Sequence, residues 1–198
     1  PGPGRLVAID LGVSRTEFVE WRERTHAFQS LAAYSSEDCT ARADGRKQRE
    51  RCALVLGDIF SVLGVAPQAG RPMPERDDAV VVSADYARSV NGVDSRELGQ
   101  RITVGSHPFE IVAIAPSAMA FLERDVSLWL PARSFEAVDL YGRGDTRSYT
   151  LIGRIRDGQT VDSARQDARR VFAELYPNRS NNLAVSSLSE RMFREARR

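Results

Sequence analysis

Histidine and cysteine occur only twice each in this chain of 198 residues, and lysine only once, at Lys47. His26 and His107 lie far apart in sequence and no Cys-x-x-Cys accompanies them, so no zinc-ligand spacing is present. The chain also lacks a Gly-x-Ser-x-Gly elbow, a His-Glu-x-x-His pair and a Gly-x-x-x-x-Gly-Lys loop, which removes the motif-borne hydrolase, metalloprotease and nucleotide-binding classes. A formal net charge of +1 gives no electrostatic case for nucleic acid. The longest apolar run, 111–122, is about half the roughly 20 residues of a spanning helix and contains Pro116. The opening Pro1-Gly2-Pro3-Gly4 is not a basic-then-apolar leader and is expected to be the start of a piece cut from a longer chain.

What is present describes a soluble α+β domain. At 42% hydrophobic and 28% charged residues, the chain has core enough for one domain or two small lobes. A strand is expected over 5–11. The capping box Ser14-Arg15-Thr16-Glu17 then starts a helix whose apolar stripe runs Phe18, Trp21, Thr25, Phe28 and Leu31. A hairpin over 37–56 follows. If its loop is Gly45-Arg46, Cys39 stands opposite Cys52 at disulfide distance; the Asp44-Gly45 loop that turn statistics favour breaks that register. A formed bridge argues for an oxidising compartment, and two free thiols for the cytosol.

Asp58 caps a very short helix holding Phe60 and Leu63 on one face; Gly64 ends it and Pro67 prevents its resumption. Gly70 allows a second bend before Arg71. Strands are expected over 79–83, 101–104, 107–114 and 126–130, the second and third forming a hairpin about Gly105-Ser106. A short helix over 84–90 follows the first of them. Tyr149 opens a further strand, helix 160–176 buries Val161, Ala164, Ala168, Val171, Phe172 and Leu175, and 182–187 is a last strand. The order is βαββα, a mainly β insert, then βαβ. Proline-rich passages near Pro72 and Pro131 place an α+β lobe at 1–72 and 131–198, with a small β-rich lobe inserted at 73–130. Trp129, just before Pro131, falls at the expected lobe junction.

The remaining polar features read as structure. Asp77, Asp78 and Asp85 fit a solvated acidic loop better than a cation site. Arg143-Gly144-Asp145 matches an adhesion tripeptide at the level of chance. Arg191, Arg194, Arg197 and Arg198 line one side of a C-terminal helix, either a solvated basic face or a helix running toward a membrane.

The pattern Phe60-x-x-Leu63-Gly64-x-x-Pro67-x-x-Gly70-Arg71 resembles one in the extracytoplasmic domain of MacB/FtsX-type ABC-transporter permeases. In order along the chain, 14–34, the Leu98-Gly99 element with its strand, 109–116 and Leu128-Trp129-Leu130-Pro131 are similar to further elements of that family. Ala113 stands where the family has glycine, and the region after Ala79 is shorter than in typical members. The resemblance implies a periplasmic or extracellular domain between two transmembrane helices, with an α+β lobe built from both chain ends. Those ends should therefore lie close together. It implies no catalytic residue, cofactor or metal. The implied partners are the permease's own transmembrane part and its ATP-binding subunit or domain, with a periplasmic adaptor, a substrate or a cell-wall enzyme outside. The isolated piece is expected to be a monomer or weak dimer. A stand-alone secreted binding or adhesion domain of the same fold is the alternative.

Overall fold

Local signals start and stop most of the helices. A computed structural model describes residues 3–72, 76–91, 98–117, 119, 122, 125–135, 148–180 and 182–188. In chain order the elements are β1 (Leu6–Val13), α1 (Arg15–Arg24), β2 (Phe28–Ala43), β3 (Arg46–Leu56), α2 (Ile59–Leu63), β4 (Ala69–Gly70), β5 (Ala79–Val82), α3 (Ala84–Asn91), β6 (Arg101–Val104), β7 (His107–Ile114), β8 (Leu128–Pro131), β9 (Tyr149–Ile155), α4 (Val161–Leu175) and β10 (Val185–Ser187). This is the mixed α+β order expected from the sequence. The capping box at α1 is complete: Ser14 Oγ accepts from the Glu17 amide at 3.3 Å, and Glu17 Oε2 accepts from the Ser14 amide at 2.7 Å. Thr160 and Ser163 form the same reciprocal pair at the start of α4.

The chain forms two compact units. The first comprises Pro1–Tyr34, Leu56–Gly64 and Asp145–Arg198, the second Ser35–Val55 and Val65–Gly144. These divisions fall within β2 and β3, not at Pro72 and Pro131. The reason is pairing: Ala41 and Arg42 of β2 bond β6, and residues 52–55 of β3 bond β8, so the outer hairpin arms belong with the insert.

In the first unit the strand order is β10-β1-β9-β2, every neighbour antiparallel. With α1 between β1 and β2 and α4 between β9 and β10, this is the split βαβ arrangement of ferredoxin-like sheets. Leu6, Val7, Ala8 and Ile9 are all buried, as an inner strand requires. Helix α4 buries Ala164, Ala168, Val171 and Phe172.

One expectation fails here instructively. The helix begun at Ser14 ends at Thr25, and Phe28 and Leu31 lie on β2. The ladder between β2 and β9 shifts register between Phe28 and Ser30. In a regular strand, residues three apart face opposite ways; the bulge lets Phe28 and Leu31 share a face. Both pack where a side chain on Gly153 would otherwise sit, a Cβ there coming within 2.8 Å of Leu31 Cδ2. A β-bulge thus imitates helical spacing.

The second unit is richer in sheet. Its strand order is β3-β8-β5-β7-β4, with β6 pairing β7. Parallel pairs (β3 with β8, β5 with β7) alternate with antiparallel ones. Strand β5, Ala79–Val82, is buried at every residue, as expected of a strand covered on both faces. Gly105, at φ 63, and Ser106 form the loop between β6 and β7. Ala113 lies in β7 opposite Gly70 and Val81. The tripeptide at Arg143 and the basic residues after Leu188 lie outside the described residues.

Candidate functional site

The segment from Gly57 to Arg71 is built as its sequence requires. Gly57 has φ 76, and a Cβ there would lie 2.8 Å from the Leu31 carbonyl oxygen, so only glycine fits. Asp58 then caps α2, its Oδ1 accepting from the Ser61 amide at 3.0 Å. Phe60 and Leu63 are buried, and so are Ile59 and Val62. Gly64 takes the left-handed conformation (φ 65, ψ 36) and donates to Phe60 O at 2.8 Å. The chain passes into the second unit at Val65. After Pro67, the Gln68 amide donates to Ile114 O at 2.9 Å and β4 pairs with β7. Gly70 has φ 84; a Cβ would meet the Val112 carbonyl oxygen and lie 2.8 Å from Ala113 Cα. The Arg71 amide reaches Val112 O at 3.3 Å. The motif's residues are therefore accounted for by backbone geometry and packing.

A group outside the motif completes it. Arg154, on β9, is only 6% exposed, and its Nε donates to Val62 O at 2.8 Å. The carbonyls at the end of α2 lack helical partners, and a cation suits the negative end of the helix. Burial and the positive charge of Arg5 lower the pKa of Arg154. Its sequence signal was available, an arginine inside the apolar run 149–155, but its target was not.

Asp167 of α4 is a second such group. It accepts from the backbone amides of His26 (2.6 Å) and Ala27 (2.8 Å) and from Arg170 (2.7 Å). Burial raises its pKa, while the Ala27 amide, Arg170 and the His26 amide lower it more, leaving its carboxyl below the usual range. At the end of the same helix, burial, with the Glu17 carboxylate beside it, pushes the Tyr176 hydroxyl up to about 12.

Cys39 and Cys52 form a disulfide with Cα atoms 5.9 Å apart. The loop between the strands is nevertheless Asp44-Gly45, both with positive φ. Counted back from that loop, a regular ladder places Glu50 opposite Cys39, so the bridge is not the directly opposed pair that the Gly45-Arg46 loop would have given. Trp129 and Pro131 lie on β8, an inner strand of the second unit, with Trp129 paired to Ala53 and Val81.

Among the described residues no group of three or more His, Cys, Asp or Glu could hold a metal ion. The acidic loop is neutralised by arginines: Asp77 pairs with Arg133, Asp78 with Arg76 and Asp85 with Arg88. His26 is exposed, and the His107 ring lies 3.2 Å from its neighbour Ser106 Oγ. No helix among the described residues is long and apolar enough to cross a membrane.

A ferredoxin-like unit is thus assembled from distant segments of the chain, with a β-rich unit inserted between them in sequence. The profile of the MacB-like periplasmic core domain matches residues 4–171, and the chain belongs to that family. Its fold is similar to the periplasmic region of MacB from Actinobacillus actinomycetemcomitans, at 12% identity and a TM-score of 0.73, covering 98% of this chain and 94% of that one. It is also similar to the extracellular domain of the noncanonic ABC-type transporter YknZ from Gram-positive bacteria, at 14% identity and a TM-score of 0.70, covering 91% and 99%. At these identities the likeness is one of fold. No curated protein matches the chain. The chain is thus an extracytoplasmic domain of a MacB-like ABC-transporter permease, a family whose periplasmic domains are non-catalytic transporter components.

Proposed function

We propose that this domain relays motion: it couples ATP hydrolysis by a cytoplasmic subunit or domain to export, or to engagement of an extracytoplasmic partner, and performs no catalysis itself. The observation that carries the reading is the pairing of the first and last described strands. Strand β1 starts at Leu6 and β10 ends at Ser187, and the two are antiparallel neighbours with Val7 opposite Ser187. The start of β1 and the end of β10 therefore lie at the same end of one sheet. That geometry suits a domain whose chain comes from a membrane and returns to it, and the first unit would be the lobe facing the transmembrane part. The second unit would be the inserted lobe that meets an adaptor, a substrate or a cell-wall enzyme.

ATP binding can bias such a domain only if its tethers transmit a difference between two permease states. The test inserts a flexible Gly-Ser stretch of about 20 residues at each tether of the intact permease. Transport should fall sharply while ATP hydrolysis persists. Transport at the unmodified level with both insertions would overturn the relay.

A further inference from the structure

Along β3, Lys47, Arg49 and Arg51 alternate with Arg46, Gln48 and Glu50, so the two sets face opposite ways. Asp38 pairs with Arg49 and, at 3.6 Å, with Arg51. That places the alternate β2 residues Asp38 and Arg42 on the same face as Lys47, Arg49 and Arg51. The other set lies on the face toward α3. Arg46 and Gln48 line a recess with Tyr86 and Ser89 of α3, and Glu50 accepts from Ser127 Oγ at 2.6 Å. In a protein of net charge +1, the outward face of this hairpin thus gathers Arg42, Lys47, Arg49 and Arg51 around the carboxylate of Asp38. Arg42 and Lys47 are exposed, and the Arg49 side chain is 80% exposed.

The same stretch is a sheet edge. Pairing between β3 and β8 begins at Cys52, the Arg51 carbonyl already accepts from the Ser127 amide at 2.9 Å, and among the described residues no strand other than β2 pairs with residues 46–50. Arg46, Lys47, Gln48 and Arg49 are all exposed. The disulfide from Cys39 to Cys52 ties the two arms together where this edge begins, which keeps the edge ordered before any partner arrives.

We propose that this edge takes up an extended acidic segment of a partner protein by strand addition. Backbone amides and carbonyls of an edge strand template such pairing. Alternate residues of an added strand recur about every 7 Å, the same repeat that separates Lys47, Arg49 and Arg51, so alternate carboxylates fall beside them. A lipid surface fits less well, because among the described residues the one exposed large apolar side chain is Val19, in the other unit. The proposal does not depend on the membrane tethers.

The test titrates the whole chain with a ten-residue synthetic peptide alternating glutamate and threonine, followed by backbone amide NMR. Amide shifts should concentrate at residues 46–50 and weaken with added salt. Lys47→Glu with Arg49→Glu should weaken binding about tenfold, and a peptide alternating arginine and threonine should bind that variant instead. No shift along β3, binding indifferent to the double reversal, or binding of phosphatidylglycerol vesicles in place of the peptide would each overturn it.

Discussion

The two units are held together by different means. The first relies on capped helices laid against an all-antiparallel sheet, with Asp167 and Arg154 tying irregular backbone to it. The second has a mixed sheet, a single α-helix of eight residues among its described residues, and a covalent staple between Cys39 and Cys52. A sheet of short strands with parallel pairs is assembled from distant contacts, which local signals do little to favour. A cross-link compensates by restricting the unfolded chain. The contrast teaches that a domain facing an oxidising compartment can place its covalent reinforcement where its local signals are weakest.

Each unit contains one tryptophan, Trp21 in the first and Trp129 in the second, and both are buried. Single replacements by phenylalanine therefore let each unit be followed separately in denaturant. The largest effect is expected from Phe60→Ala, which empties a fully buried site and should lower the first unit's stability by about 3–5 kcal/mol. The Trp21 transition should move while that of Trp129 stays; equal movement of both would break the comparison. Next, Cys39→Ala with Cys52→Ala should cost about 3 kcal/mol, read this time by Trp129 alone.

Asp167→Asn should cost about 1–2 kcal/mol at neutral pH, because a charged acceptor is lost from two backbone amides. The folded carboxyl titrates below its ordinary value of 3.8, so its stabilisation is complete above that value and is lost as pH falls through the lower folded one. Variant and parent should therefore converge in stability in acid; a gap that persists unchanged there would show that charge is not the cause. The smallest expected effect is Asp58→Ala, about 1 kcal/mol. Faster hydrogen exchange at the Ser61 amide, with the second unit unaffected, would check it.

Legibility in the sequence follows the same division. The caps at Ser14 and Asp58, the stop at Gly64 and the Gly105-Ser106 turn are nearest-neighbour effects, and each is found where its residues place it. The end of α1 was not legible, because the bulge at Phe28 presents apolar residues at helical spacing. The division into units was hidden as well, since β2 and β3 each contribute to both. Prolines mark where a chain turns, not which sheet its strands join.

The amino-acid order alone determined the succession of elements, the ends of the short helix and the absence of known catalytic motifs, since all of these depend on residues within a few positions of one another. The tertiary structure alone decided that Arg154 meets Val62, that Asp167 holds the amides of His26 and Ala27, that Cys39 reaches Cys52 across a loop unfavourable to it, and that β1 and β10 lie side by side. Each of these joins groups whose meeting is selected by the packing of the whole sheet rather than by the local chain.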